Sequence, residues 1–342
     1  MNPQQLDSKV QLDDKIPDPL SVILSGNLVS SGVLTAVLES AKDPQKLIFF
    51  CNPKLAPICI KLIQEQGNDS EPRVFSHFGL LCIRILALSL HSLILKEAGV
   101  LSQFINQCPR EIGLEEYAIA ALADKIRATG EEYISAPIRT GIVTPIALPV
   151  THAQSLVLLE YIHRERCWFL SCRYKFPELS RGWSVLLFPV WQALYDHKRS
   201  HARDMSAKLA DLIFRYVAGP IGYEKEVQLV NFMVVTTFMK TIDARVFDYF
   251  ICCFNRRDSE HALQAVTARL SAGTLPLSTL VLLFDWVIHS SSFDQTDLIP
   301  PLFEAAFNYV WEALATPDDT PLVVLRVCDT VWFATSLFRY AL

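Results

Sequence analysis

Apolar residues recur along most of this chain at the spacing of an α-helix. Between residues 74 and 85 they fall at successive helical turns and form one face, at Val74, Phe75, Phe78, Leu81, Cys82 and Ile85. The same spacing recurs in residues 209–217 and 247–254. The alternation of apolar and polar residues that is typical of β-strands is scarce. The pattern therefore predicts an all-α protein.

Glycine, proline and polar clusters divide this pattern into segments of helical length. We predict helices over 19–40, 54–66, 72–95, 98–108, 112–128, 151–172, 178–199, 203–218, 222–240, 243–255, 258–271, 275–290, 298–315 and 320–340. Most prolines fall near the segment boundaries, where a helix tolerates them. Pro189 lies inside 178–199 and is expected to kink that helix or to split it.

Two stretches interrupt the helical pattern and suggest how the chain is organised. Residues 1–18 contain four Asp, two Lys and no large apolar cluster, which predicts a disordered N-terminal tail. Residues 129–150 contain two Gly and three Pro and show no helical period. We therefore predict a Pro-rich connector at 137–150 between two helical segments, 19–136 and 151–342. The alternative is a long structured loop within one continuous array.

A short sequence around a glycine recurs at the start of helical runs. It is Ser31-Gly32-Val33-Leu34, Ala98-Gly99-Val100-Leu101 and Ala272-Gly273-Thr274-Leu275, and glycine there allows a tight left-handed turn. Gly99 and Gly273 are 174 residues apart, which is near four units of about 43 residues, the length of an armadillo or HEAT repeat. Gly32 and Gly99 are 67 residues apart, which is not a whole multiple of that length.

Residues 72–128 combine a long apolar helix, the sequence Lys96-Glu97-Ala98-Gly99-Val100-Leu101, a short helix, a polar turn at 109–111 and another helix. In this order of elements the chain resembles an armadillo-like (ARM/HEAT-type) repeat protein. The resemblance implies an α-solenoid, an armadillo-like helical array whose stacked helices present a protein-binding groove. Some family members bind peptides through Trp and Asn spaced W-x-x-x-N, but no Trp in this chain has Asn four residues later.

Three polar residues stand out on the most apolar predicted helix. His77, Arg84 and His91 are seven residues apart, so they form a narrow stripe along one side of the helix. In an armadillo-like array such a stripe would line the concave, partner-facing groove. The alternatives are a stripe that faces water and an Arg84 that pairs with buried groups. Glu97 is the sole acidic residue in 72–108, so a local ion pair is not expected.

The composition excludes several classes of protein. Hydrophobic residues make up 51% of the 342 residues and charged residues 20%, which excludes a largely disordered chain. The net charge of −5 argues against nucleic-acid binding through bulk positive charge. The charge is uneven, because 285–330 carries −7 whereas 160–215 has ten basic and six acidic residues. This polarity either steers a partner or reflects the capping of helix ends.

The cysteines and histidines predict no metal site and no cofactor. Nine cysteines, an odd number, without a C-x-x-C motif are typical of reduced thiols in an intracellular protein, cytoplasmic or nuclear. His197 and His201 have i,i+4 spacing but lack the Glu of a zinc-protease motif. His163, Cys167 and Cys172 lack a fourth local ligand. No phosphate-binding loop, dinucleotide motif or nucleophile motif marks catalytic residues.

The leading functional prediction is a non-catalytic scaffold that binds a protein or peptide partner. No nucleic-acid partner and no transmembrane segment are expected, since Arg84 interrupts the most apolar stretch. The first alternative is an enzyme with an α-helical core and an active site that no motif reveals. The second is a peripheral membrane protein, suggested by the mean hydropathy of +0.26 and by Trp168, Trp183 and Trp191 near basic residues. The oligomeric state stays open.

Overall fold

The computed structural model describes residues 18–26, 28–66, 72–107, 113–135, 150–176, 180, 182–196, 202–220, 224–241, 255–273, 275, 277–291 and 297–315. These residues form fifteen α-helices and two short 3-10 helices and contain no strand. The all-α prediction is therefore confirmed. The predicted tail falls outside the described residues apart from Asp18, as does the predicted connector apart from Val150.

The helices of the N-terminal part are α1 (Asp18–Leu24), α2 (Ser31–Ser40), α3 (Leu47–Phe50), α4 (Leu55–Glu65), α5 (His77–Glu97), α6 (Leu101–Gln107) and α7 (Leu114–Ser135). Those of the C-terminal part are α8 (His152–Arg164), α9 (Phe169–Lys175), α10 (Ser184–Asp196), α11 (Ala202–Ala218), α12 (Glu224–Thr241), α13 (Arg256–Ala272), α14 (Leu277–Ser290) and α15 (Ile299–Ala315). The 3-10 helices span Pro44–Lys46 and Arg166–Trp168.

Two predicted helices are each broken into two in the structure. The segment 19–40 breaks after α1, where Gly26 has a φ of +72° and Ser30 caps the start of α2. The segment 151–172 breaks at Glu165, whose carboxylate binds backbone groups of a distant part of the chain. Of the two outcomes predicted at Pro189, a kink or a split, the split does not occur, because α10 runs through this residue as one helix. The predicted helices 243–255 and 320–340 lie outside the described residues apart from Asn255.

The glycine turns are predicted correctly at two of three positions. Gly99 follows α5 with a φ of +73°, and Gly273 follows α13 with a φ of +60°. Both end a helix in the left-handed conformation that glycine adopts without strain. Gly32 instead lies inside the first turn of α2, and Gly26 takes the left-handed position before that helix.

Helices that are consecutive, or separated by one short helix, form pairs, and each pair packs against the next. The pairs are α4 with α5, α8 with α10, α11 with α12, and α13 with α14. One row of contacts runs through α4, α8, α11, α13 and α15, and a second row runs through α2, α5, α10, α12 and α14. Helix α7 packs against both α5 and α12. The described helices therefore make contacts that advance from the N-terminal to the C-terminal part of the chain.

The buried apolar residues form one continuous cluster that extends from Leu20 to Val310. Contacts of α5 with α10 and of α7 with α12 join the parts of the chain on either side of the predicted connector. Burial of this apolar surface is the main favourable contribution to folding. The two predicted helical segments therefore share a core.

Helix α5 is the one described helix that combines the length and the apolar composition of a membrane span. By length and composition it could cross a membrane, but 89% of its most apolar window is buried inside the protein. Helices α2, α4, α7 and α10 surround it. A core helix of a water-soluble protein has the same properties, so this helix is weak evidence for a membrane span.

Candidate interaction surface

The three residues predicted to line a partner groove lie in three different environments. His77 is exposed at the start of α5, Arg84 is half-buried, and His91 has no solvent exposure. Arg84 donates a hydrogen bond to Glu115 in the first turn of α7 and forms an ion pair with it. The structure thus brings Arg84 to a distant acid, which is one of the alternatives that the sequence leaves open, and it does not place the three residues on one open face.

The Arg84–Glu115 pair is expected to stabilise the contact between α5 and α7. Burial raises the pKa of Glu115, but the charge and hydrogen bond of Arg84, together with smaller contributions from His91 and the backbone, outweigh burial, so the pKa is lowered and the carboxylate is ionised at neutral pH. We expect Arg84→Ala to lower the free energy of unfolding by about 2 kcal/mol, because it leaves this largely buried carboxylate without its partner. Urea denaturation measures the loss.

The control for this prediction is Lys96→Ala, which removes an exposed base from the same helix. It should change the stability by less than about 0.5 kcal/mol. If Arg84→Ala proves as harmless as Lys96→Ala, the ion pair contributes nothing, and the residue is better explained as part of a groove.

His91 is enclosed between α5 and the turn before α10. A side chain added at Gly182, which has a φ of +72°, would meet the His91 ring at 2.7 Å. Burial lowers the pKa of His91 from 6.5 to about 4. The ring is therefore neutral at physiological pH and helps to fill the core.

Acidification is expected to destabilise the protein through His91. The unfolded chain binds a proton on this residue below about pH 6.5, whereas the folded chain does so only near pH 4. Between pH 7 and pH 5 the free energy of unfolding should therefore fall by about 2 kcal/mol. Urea denaturation at the two pH values measures this loss.

Two variants separate the contribution of His91 from other titrations. His91→Gln removes the buried ring, so the loss of stability between pH 7 and pH 5 should become smaller by about 2 kcal/mol. His77→Gln removes an exposed ring and should leave the pH dependence unchanged. The pKa of His163 is also lowered by burial, to about 3, so part of the acid sensitivity should remain. An identical pH dependence in all three proteins would contradict the prediction.

A buried cluster of charges joins the C-terminal helix pairs. The guanidinium of Arg215 on α11 donates to Asp211 at 2.9 Å and to both carboxylate oxygens of Asp258 on α13, at 2.6 and 2.9 Å. The indole of Trp286 on α14 donates to Asp211 at 3.0 Å. All four side chains are buried. The cluster therefore fixes the position of α13 and α14 on α11.

Two arginines bind the C-terminal end of α11. Arg173 on α9 donates hydrogen bonds to the carbonyl oxygens of Tyr216 and Pro220. Arg269 on α13 donates to the carbonyl oxygens of Val217, at 3.1 Å, and Gly219. These carbonyls lie at the negative end of the helix dipole, which favours a cation. Both arginines therefore hold α9 and α13 against the end of the same helix.

The break at Glu165 has a structural role. The Glu165 carboxylate accepts hydrogen bonds from the backbone N–H groups of Arg73 at 2.6 Å, Val74 at 2.9 Å and Phe75 at 3.2 Å. These three groups lie just before α5. The carboxylate therefore fixes the C-terminal end of α8 to the start of α5. The 3-10 helix Arg166–Trp168 follows on the surface.

The residues considered as metal ligands are arranged for packing. His163 and Cys172 are buried, and Cys167, which lies between them in the sequence, is half-buried. Among the described residues no group of three or more His, Cys, Asp or Glu side chains could hold a metal ion. His197 and His201 lie outside the described residues.

Three exposed aromatic residues cluster in and beside α9. The exposed fractions are 47% for Trp168, 51% for Tyr174 and 49% for Phe176. Basic side chains at Arg164 and Lys175 are exposed in the same stretch. Aromatic residues and arginine are enriched at the centres of protein interfaces. Residues 164–176 are therefore the best candidate for an interaction surface in the described part of the chain.

A groove lies beside this surface, between α9 and α13. Its volume is about 340 Å³, and its walls include Leu170, Tyr174 and Lys175 from α9 and His261, Ala265 and Ala268 from α13. On α13 these residues follow i, i+4, i+7 spacing, so one side of that helix faces the groove. We call the exposed aromatics of residues 168–176 together with these walls the α9/α13 surface.

Trp168 is the one residue of this surface that the sequence indicates. Trp168, Trp183 and Trp191 all stand near basic residues in the sequence, whereas Trp183 and Trp191 are buried in the core. The same short segment contains Tyr174, Lys175 and Phe176. The high density of aromatic and basic residues in this segment is a sequence pattern from which the surface could have been predicted. His261 lies almost ninety residues further along, and no local pattern connects it to α9.

The chain matches no family model, no curated protein and no solved structure closely enough to indicate a relationship. The fold and the α9/α13 surface are therefore the basis for any functional conclusion.

Proposed function

We propose that this protein is a non-catalytic interaction scaffold built from armadillo-like helical repeats and that it binds a protein or peptide partner. The packing of helix pair upon helix pair carries the proposal. In an α-solenoid each repeat packs mainly against its neighbours, so the contacts advance along the chain. The two rows of contacts among the described helices advance along the chain, which supports the proposal, and the contact of α7 with α12 departs from this order.

Grooves between successive helices support the same proposal. Besides the groove between α9 and α13, one of about 370 Å³ lies between α4 and α8, with Ile58, Lys61 and Val157 among its walls. The groove between α4 and α8 lies within the row of helices α4, α8, α11, α13 and α15. The other groove lies between α13 of the same row and α9, which packs beside it. Repeat arrays bind their partners along such extended surfaces.

The thiols support an intracellular location, cytoplasmic or nuclear. Cys51, Cys59, Cys82, Cys167 and Cys172 are free. Burial raises the pKa of Cys51 to about 11 and that of Cys82 to about 12, so these thiols stay protonated. Buried, protonated thiols pack as small apolar side chains and are typical of a reducing compartment.

The two alternatives have weaker support. Enzymes place groups with shifted pKa values in clefts. The two histidines with the largest pKa shifts, His91 and His163, are enclosed by packed helices. The shifted groups that line the groove between α9 and α13, His261 and Tyr174, have smaller pKa shifts. A membrane-binding surface would use several exposed tryptophans at one level, whereas Trp183 and Trp191 belong to the core.

Selection from a displayed peptide library on the immobilised full-length chain tests the proposed function. We expect enrichment of a set of related peptide sequences. The enrichment should disappear with the double variant Trp168→Ala and Tyr174→Ala and persist with Trp311→Ala, which removes an aromatic residue that is 74% exposed on α15. A library that converges on no sequence would count against a peptide-binding scaffold. Flotation with anionic vesicles would then identify a membrane-binding protein.

A further inference from the structure

The α9/α13 surface indicates what kind of partner the proposed scaffold binds, an inference that rests on the proposed function. Residues on α9 and α13 that line the groove lie along one side of each helix. They are Leu170, Ser171, Tyr174 and Lys175 on α9 and His261, Gln264, Ala265 and Ala268 on α13. Arg257 lies one turn before His261 on the same side of α13, and Trp168 ends the 3-10 helix that precedes α9, so both stand beyond the N-terminal end of the lined part.

The two helices run along α11 in the same direction. Near one end, Arg215 on α11 donates hydrogen bonds to the carbonyl oxygen of Arg166, at 3.3 Å, and to Asp258. Near the other end, Arg173 and Arg269 both donate to carbonyl oxygens at the C-terminal end of α11. Residue 166 thus lies near residue 258, and residue 173 lies near residue 269.

The length of the groove suits an extended peptide. From Arg257 to Ala268 the helix rises about 16 Å at 1.5 Å per residue. An extended chain advances about 3.4 Å per residue, so about five residues of a partner fit along the walls. The floor contains the apolar side chains Leu170, Ala265 and Ala268, which would accept one or two apolar side chains of that partner.

Two exposed basic side chains stand at the rim of the groove. Lys175 lines it on α9, and Arg257 lies one helical turn before His261 on α13. Burial lowers the pKa of His261, the charges of Arg257 and Lys175 lower it further, and those of Asp258 and Glu260 partly offset them. Asp258 is itself paired with the buried Arg215. The neighbouring Arg256 is paired with Glu260 at 3.2 Å, so it adds less to the field. The Nδ1 atom of His261 has no hydrogen-bond partner among the described residues.

From this geometry we propose that the α9/α13 surface binds an extended acidic segment of a partner protein. Acidic side chains of the segment lie beside Lys175 and Arg257, and one apolar side chain enters the groove between Leu170 and Ala265. Trp168 and Tyr174 cover the bound segment at the two ends of the groove. Complementary charge would also increase the rate of association.

Fluorescence polarisation with the full-length chain tests this proposal. The probe is a labelled peptide of about eight residues in which Glu and Leu alternate, and the comparison peptide has Lys in place of Glu. We expect the acidic peptide to bind at least tenfold more tightly than the basic one. The double variant Lys175→Glu and Arg257→Glu should weaken binding of the acidic peptide at least tenfold, and raised salt should weaken binding to the unchanged protein.

The matched control is Lys61→Glu, which reverses a charge in the groove between α4 and α8, where the volume is similar. It should leave binding of the acidic peptide unchanged, and thermal melts should show that each variant is folded. Equal weakening by Lys61→Glu, or no weakening by the double variant, overturns the proposal. So does self-association of the chain that the double variant abolishes, because the occupant is then a second copy.

The library selection distinguishes failure of this proposal from failure of the proposed function. Enrichment of apolar or basic peptides would support a peptide-binding scaffold and overturn the acidic partner. Anionic vesicles that bind to the chain through Lys175 and Arg257, together with no peptide binding, would overturn both.

Discussion

Replacing Asp258 by Ala should destabilise the protein by about 3 to 5 kcal/mol. The Asp258 carboxylate binds Arg215 through two hydrogen bonds of 2.6 and 2.9 Å, and neither side chain has solvent exposure. Removal of one member of a buried ion pair leaves the other charge in a medium that solvates it poorly, which accounts for a loss of this size. The midpoint of urea denaturation, followed by circular dichroism, measures the effect.

The position of Asp258 on its helix adds to the effect. It lies in the first turn of α13, and its backbone N–H donates to the N-cap residue Asn255 at 2.9 Å. A carboxylate in this turn interacts favourably with the positive end of the helix dipole. Asp258→Asn keeps the shape of the side chain and removes its charge, so its loss should be large but smaller than that of the Ala variant.

The control is Asp124→Ala. Asp124 lies 2.9 Å from Lys225 and also joins two helices, but its side chain is 53% exposed. Water screens such a pair, so this variant should cost no more than about 1 kcal/mol. Similar losses in Asp124→Ala and Asp258→Ala would show that the buried cluster does not hold α13 on α11.

The helices of this fold are predictable from the sequence because local periodicity determines them. The apolar spacing in 74–85 and 209–217 places α5 and α11 within a few residues of their observed bounds. The two missed breaks have different origins. Gly26 and Ser30 are a local signal, a left-handed glycine before an N-cap, which the sequence does contain. Glu165 breaks the helical segment because it binds N–H groups about ninety residues earlier, and no local pattern encodes that contact.

The candidate surface is less predictable, because burial depends on which helices meet. Trp168, Trp183 and Trp191 all stand near basic residues in the sequence, yet Trp168 alone among them is exposed. Arg84 illustrates the same point, since its partner Glu115 is 31 residues away on another helix. Charges that pair across the fold cannot be assigned from spacing along one helix. The polar stripe was predicted on α5, a helix that the structure does contain. The neighbouring helices, which determine what the polar residues of α5 contact, could not be predicted from that helix alone.

Replacing Gly79 by Ala should lower the free energy of unfolding by more than about 3 kcal/mol. This glycine lies in the first turn of α5, against the chain segment that Glu165 binds. A Cβ atom there would lie 2.6 Å from the carbonyl oxygen of Val74 and closer still to that of Arg73. Overpacking usually costs about 1 to 3 kcal/mol. The cost here should exceed that range, because the obstructing atoms belong to the backbone and cannot rotate away.

Gly32→Ala is a closely matched control for Gly79→Ala. Both glycines lie in the first turn of a helix whose N-cap is a serine, Ser30 for α2 and Ser76 for α5. At Gly32 the nearest atom to an added Cβ is the Ser30 hydroxyl oxygen at 3.6 Å, an ordinary contact. Alanine should there be neutral or stabilising by up to about 1 kcal/mol, since it restricts the unfolded chain. A Gly79→Ala protein as stable as the Gly32→Ala protein would show that α5 and the segment before it are not in close contact, and the anchoring of α8 to α5 through Glu165 would then have to be abandoned as well.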